Sequence, residues 1–587
     1  YAKSKHYDTE DDFDLTYKSR EELEEAFRKQ DSIPEEAWQA AIDNTVLMAN
    51  QVEEFELDTS LKYPILYGSA EEDREKFIQN INEKLEAKLE AGIIPREQEQ
   101  AFRDAIKEEL RVFTKLGMCG FMQSMSEILT WCHENGIVTG PGRGSVAGSR
   151  VAYVTDITDV NPETWHTVFS RFCNEDRIEV GDIDTDVIED DRPKIFNYII
   201  ERFGQQKTAF VPSCGTLKDL ATIEAIVRGF RHKWEKQHPE SDKSENPYPV
   251  SLVAKIKADY GKNAEACKQK YKEFFYYFDG SLNTRISQSV HPAGIVISPV
   301  TLDDNYCVFY HKDGGVVLQI DMEEIHEVSL VKYDMLVLNT LQIIRDACKL
   351  ANIPYPKSHE IDWSDQKVWE DMMVSNIGIF QMESPFAGKM LKDFNTKSIF
   401  DMSLVTACIR PSGASYRNDL ISRVPHHNPS PMIDELLADN NGYLIYQEDT
   451  IKFLQEICGL SGSESDNIRR AIGRKDKDRL DAALPKILDG YCNKSDKPRE
   501  VAEEEAKEFL QILEDSASYQ FGYNHSISYC LVGFLCAWLR CYHPYEFVTS
   551  YLNNPAKDED IRNGTKLAQI YGLKITPPMF GASSDQY

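Results

Sequence analysis

The 587-residue sequence predicts a multi-domain α/β protein. The length corresponds to about three to five domains at roughly 150 residues each. Apolar residues recur at helical spacing up to Lys115 and again beyond Leu341, whereas shorter β-branched runs separated by turns occupy much of the stretch between Gly136 and Ile320. A content of 41% hydrophobic and 11% aromatic residues is that of a globular chain. The formal charge is −31, which argues against non-specific coating of nucleic acid or anionic membrane, so any contact with phosphate must be local.

The acid is concentrated at the front: residues 1–100 hold 12 basic and 26 acidic residues. Within them Ser19, with Glu22 three residues on, reads as a capped helix start, and charged helical periodicity runs from Glu71 to Lys115 with a break at Gly92–Pro95. A helix is expected over Phe121–Asn135, then a glycine-rich turn. Residues 201–300 are net basic (15 against 11), with lysines at helical spacing between Lys255 and Lys272. Strands are expected between Gly294 and Ile320, and helices from Leu341 to about Asn554, with joints near 50, 213, 291 and 343. The longest apolar run, Tyr529–Leu539, is shorter than the roughly 20 residues a membrane span needs, so no membrane partner is expected. Thirteen cysteines without a CxxC pair point to a reducing cytoplasm.

Four motifs could carry chemistry. Gly140-Pro-Gly-Arg-Gly-Ser-Val-Ala-Gly-Ser149 offers positive-φ positions and donors before an apparent helix start, which suits a phosphate cradle and a tight structural turn equally well. In Asp182-Ile-Asp184-Thr-Asp186 the carboxylates fall on one face of a strand, where divalent metal would relieve their repulsion and where a solvent-facing edge is the plainer alternative. Lys332 and Asp334 share a face of an otherwise apolar strand, so they should be buried and either paired or metal-bound. From Arg469 to Arg479 there are six basic and two acidic residues, suited to phosphate or simply to solvent.

The order of these motifs, with Arg171-Phe-Cys-Asn-Glu-Asp-Arg177, Ser289-Val-His-Pro-Ala-Gly294, Gly378-Ile-Phe-Gln-Met-Glu-Ser384, Tyr446-Gln-Glu448, Ile468-Arg-Arg-Ala-Ile-Gly473 and Ala537-Trp-Leu-Arg-Cys-Tyr-His-Pro544, resembles the catalytic (alpha) subunit of bacterial DNA polymerase III, the family C polymerases, over about residues 40–580. The resemblance implies a polymerase-beta-like nucleotidyltransferase palm with a helical thumb and large helical fingers: a tail or linker remnant over 1–50, palm over 51–213 and 291–343, thumb over 214–290 and fingers over 344–587. It implies Asp182, Asp184 and Asp334 as catalytic carboxylates holding two Mg²⁺ ions, and Gly144, Ser145, Arg171, Lys332, Arg469 and Arg470 as residues that hold the incoming triphosphate. The implied function is template-directed addition of deoxynucleotides to a primer 3′-hydroxyl, with primer–template DNA, deoxynucleoside triphosphates and a sliding clamp or other replisome proteins as partners.

Two alternatives compete: a catalytically weak, polymerase-shaped replisome scaffold, and a nucleotidyltransferase without template, which would leave the helical second half unexplained. Departures from the family pattern lead to the expectation of a fragment or a compact, phage-type version. Too few residues precede position 50 for the family's N-terminal phosphoesterase-like domain, and Asn524-His525-Ser526-Ile527 stands where relatives carry Asn-Lys-Ser-His.

Overall fold

The computed structural model describes residues 17–54, 56–175, 183–312 and 314–577. It divides into two compact units, one ending at Thr59 and one running from Ser60. In the first, helices α1 (Arg20–Arg28) and α2 (Glu35–Ala49) form. The expected cap is present: Ser19 Oγ accepts from the Glu22 N–H, and the Glu22 carboxylate accepts from the Ser19 N–H at 2.7 Å. Phe27 stacks on Trp38 at 5.6 Å.

The second unit begins with α3 (Ala70–Glu90), α4 (Glu99–Lys115) and α5 (Cys119–Glu134), broken where the sequence predicts at Gly92, whose φ is +70°. Phe77, Ile81, Leu85 and Leu89 recur every fourth residue of α3 and are all buried, the apolar stripe that fixes its orientation. The short α6 (Arg150–Val154) follows the glycine-rich loop. Six strands, β1 (Asp184–Val187), β2 (Thr208–Thr216), β3 (Arg285–Ile297), β4 (Val308–Tyr310), β5 (Val316–Leu318) and β6 (Lys332–Val337), form one mixed sheet in the order β1-β6-β3-β2-β5-β4.

Strand alternation decides which side chains reach the core. Ile295, Ile297, Tyr333 and Met335 belong to the same buried cluster as the apolar residues of α3, α4 and α5, and the Tyr333 hydroxyl meets Ser124 Oγ of α5 at 2.6 Å. The intervening Lys332 and Asp334 therefore fall on the other face.

β2 and β3 run through positions 213 and 291, so the two joints expected there lie within strands. Between these strands, helices Asp219–Gln237, Val250–Lys262 and Ala264–Lys270 enclose a small core of their own around Ile223, Val227, Ile256 and Phe274. Beyond β6 the chain is helical, as expected, from Asn339–Ala351 to Asp558–Ile570. The Tyr523–Tyr542 helix is buried along most of its length in the larger core of this half. Among the described residues no helix is long and apolar enough to cross a membrane, and all 13 cysteines are free.

Candidate nucleotidyl-transfer site

β1 lies parallel to β6 with Asp184 directly opposite Asp334, so two carboxylates 150 positions apart in the chain stand side by side on one face. Lys332, two residues before Asp334 and on the same face, pairs with its Oδ2 at 2.7 Å, and the two side chains are only 12% and 14% exposed. The other oxygen, Asp334 Oδ1, is buried and meets no hydrogen-bond donor among the described residues. A buried carboxylate oxygen without a partner is costly, and a cation beside it removes the cost. On the far side of Asp334 lies Gly294 of β3, where an added Cβ would come 3.0 Å from Oδ1 and 3.1 Å from Lys332 Cδ. A side chain at this position would crowd the carboxylate.

Asp182 lies outside the described residues, and among those described no group of three or more His, Cys, Asp or Glu side chains forms a metal cluster. The Asp184–Asp334 pair and its orphaned oxygen nevertheless fit a divalent cation with oxygen ligands. Asp186, next on the same face of β1, is buried and held by Arg143 Nη1 at 3.0 Å, while Arg143 Nε lies 3.6 Å from Asp184 Oδ2. Burial raises the Asp186 carboxyl above its ordinary range against the pull of Arg143.

Arg143 brings in the glycine-rich loop, whose Gly140 N–H donates to the Asp186 carbonyl at 2.8 Å. The sequence suggests that this loop opens a helix, and α6 follows it. The first amides of that helix are occupied from within the chain: Glu109 of α4 accepts from the Arg150 and Val151 amides of α6 at 2.9 and 3.0 Å and from Ser149 Oγ at 2.6 Å. Burial pushes the Glu109 carboxyl up to about 7. Gly144 has φ +70°, and its N–H donates to His525 Nδ1 at 3.3 Å. The amide and hydroxyl of Ser145 donate no hydrogen bond among the described residues.

The loop is tied to a second cluster through the start of the Tyr523–Tyr542 helix. Asn524 Nδ2 donates to the carbonyls of Ser145 and Val168, and its Oδ1 accepts from the Val168 N–H. Three residues on, Arg171 Nε donates to Gln447 Oε1 at 3.0 Å, and Arg469 Nη1 reaches the same oxygen at 3.2 Å. Arg469 and Arg470, from the Gly462–Arg474 helix, both bond Asp466, at 2.8 and 2.9 Å, and the Asp466 side chain is 1% exposed. Of the three arginines named from sequence, Arg469 and Arg470 thus share one buried carboxylate, and Arg171 meets Arg469 at Gln447.

Residues 75–337 match the family described as "Bacterial DNA polymerase III alpha NTPase domain", and residues 340–495 match "Bacterial DNA polymerase III alpha subunit finger domain". The chain belongs to the bacterial DNA polymerase III alpha family. It is 30% identical over 591 residues to DNA polymerase III subunit alpha of Borreliella burgdorferi (97% of this chain, 49% of the relative). It is 28% identical over 582 residues to that of Aquifex aeolicus (92% and 49%) and 27% identical over 554 residues to that of Helicobacter pylori (88% and 44%). The chain spans about half the length of the curated relatives it matches.

Seen within the DNA polymerase III alpha family, the site also contains residues that were not singled out from sequence for it. Arg143 had a signal, being the one cation inside the glycine-rich loop. Gln447 stands in the Tyr446-Gln-Glu448 motif, and Glu448 beside it accepts from the Tyr523 N–H at 2.8 Å, capping the long helix that presents Asn524 and His525 to the loop. Glu109 has no local signal, since it lies 40 residues before Ser149 on a helix of many acids.

Proposed function

We propose that this chain is a template-directed, replicative DNA polymerase that adds deoxynucleotides to a primer 3′-hydroxyl. The observation that carries the reading is the side-by-side placement of Asp184 and Asp334 with Asp334 Oδ1 buried and unpartnered. The sheet and its covering helices would be the palm, the helices between β2 and β3 the thumb, and the helical second half the fingers. Asp182, Asp184 and Asp334 would hold two Mg²⁺ ions, which, when bound, supply Lewis-acid activation of the 3′-hydroxyl and neutralisation of the leaving pyrophosphate.

The chain's own groups do the rest. Lys332 fixes Asp334 through Oδ2, leaving Oδ1 directed at the cation site. Ser145, carried on the turn that Gly144 makes, donates to phosphate oxygens, and Arg171, Arg469 and Arg470 balance the triphosphate charge. Asp466 and Gln447 orient those guanidiniums before substrate arrives, so little ordering entropy is lost on binding. Base pairing with the template supplies the sequence information, and protein contacts go chiefly to the DNA backbone. Partners would be primer–template DNA, deoxynucleoside triphosphates and a sliding clamp, in the cytoplasm.

The test is primer extension with Mg²⁺ by the wild-type chain and by Asp184→Ala and Asp334→Ala. Each variant should lose about 10³-fold or more in incorporation, the scale of removing preorganised electrostatic stabilisation. A variant that keeps full rate removes that carboxylate from the site.

A further inference from the structure

The Ser289–Gly294 motif is absorbed by neither the metal site nor the triphosphate cluster, except at Gly294. Pairing between β2 and β3 breaks inside it: β2 advances from Phe210 to Pro212 while β3 goes back from Ile295 to Val290. Extra residues on one strand form a bulge, a device that re-aims side chains next to active sites. Here the re-aimed side chain is His291. Its Nδ1 accepts from the Gly294 N–H at 3.1 Å and the Ala293 N–H at 3.3 Å, which fixes the ring and places the proton on Nε2. Across the ring, Nε2 makes no hydrogen bond among the described residues, and the side chain is half-buried. The imidazole and Asp334 Oδ1 flank the same missing methyl of Gly294, 3.3 and 3.0 Å from where its Cβ would be.

The sheet order decides what that donor meets. The glycine-rich loop, on the proposed triphosphate side, attaches to β1 through Gly140 and Arg143; β3 lies on the opposite side of β6. From His291 the β2–β3 ribbon continues, exposed, through Arg285–Ser289 to the helices of the net-basic stretch 201–300. A strand of nucleic acid entering along the ribbon reaches Asp334 past His291.

We propose that His291 is a positioning residue whose Nε2–H donates a hydrogen bond to the phosphate of the primer's 3′-terminal internucleotide linkage, setting the 3′-hydroxyl beside Asp334. This rests on the polymerase reading above. The experiment is a chemical double-mutant cycle: wild type, His291→Ala and His291→Gln, each extending primers whose terminal linkage is either a phosphodiester or a neutral methylphosphonate. A hydrogen bond to a charged group predicts about a 10- to 100-fold lower incorporation rate for His291→Ala on the normal primer, with the nucleotide KM unchanged. The neutral linkage should cost wild type a similar factor and His291→Ala nothing further, and His291→Gln, which keeps an N–H donor, should recover most of the rate. Additive losses, or a loss expressed in nucleotide KM, would overturn this role while leaving the polymerase reading intact. Wild type that extends neither primer would end both.

Discussion

At the sheet edge three described carboxylates, Asp184, Asp186 and Asp334, face two cations, Arg143 and Lys332. Beside the Gly462–Arg474 helix three guanidiniums, Arg171, Arg469 and Arg470, gather around one buried carboxylate, Asp466, and one amide, Gln447. Among these side chains the first cluster has one more carboxylate than cations, and the second has two more guanidiniums than carboxylates. On the proposed function, a cation would complete the first region and a polyanion the second. A metal–nucleotide complex would supply both. The overall charge of −31 conceals this division of labour.

The cation side can be broken without touching a charge. Gly294→Val places a branched side chain against Asp334 Oδ1 and Lys332 Cδ. Incorporation should fall about 10²-fold, with thermal unfolding shifted by only a few degrees, since the cost is local overpacking. Gly294→Val at full rate would mean that Asp334 need not keep its present place.

The anion side sharpens the contrast through two variants. Arg469→Ala should raise the nucleotide KM about 10-fold while primer–template affinity changes little, because it removes one charge-assisted contact. Asp466→Ala should raise KM and also lower stability by about 2–4 kcal/mol, as it leaves two partly buried guanidiniums without their shared carboxylate. Equal losses of nucleotide and DNA affinity would place the cluster on the duplex instead.

The smallest effect tests the junction between the two regions. Burial, with Arg143 and Arg410 nearby, holds the His525 pKa down at about 4, against 6.5 for an ordinary histidine. The unfolded chain therefore takes up this proton first, so the stability His525 contributes is intact above about pH 6.5 and is lost as pH falls towards 4, by at most about 3 kcal/mol. Protonation of Nδ1 would also end its acceptance from the Gly144 amide. Urea midpoints measured at pH 7 and pH 4.5 should drop more for wild type than for His525→Asn, which retains an acceptor without titrating. Parallel profiles would show that His525 is not held neutral.

Much of the local structure was legible in the sequence because it is set by nearest neighbours: the Ser19 cap, the break at Gly92, and the buried stripe of α3 follow from residue type and spacing. The alternation of Lys332 and Asp334 likewise foretold a charged pair on a largely apolar strand. The Asp184–Asp334 register could not be read that way, since parallel pairing across 150 positions is settled by the packing of both strands on α3–α5 and leaves no local trace. Spacing alone likewise offered Asp182/Asp184 and Asp184/Asp186 as equal pairs; in the fold Asp186 Oδ1 meets Arg143, while its Oδ2 is buried without a partner among the described residues. The capping of α6 by Glu109 was hidden too, because one more glutamate on an acidic helix looks like solvent-facing charge.

The most direct measurement of the central claim is single-nucleotide incorporation with Mg²⁺ on four primer–templates that differ only in the templating base, each offered the four deoxynucleotides one at a time. A template-directed polymerase extends each primer with the complementary nucleotide and discriminates strongly against the other three. Extension that ignores the templating base, or no extension of any primer, would contradict it.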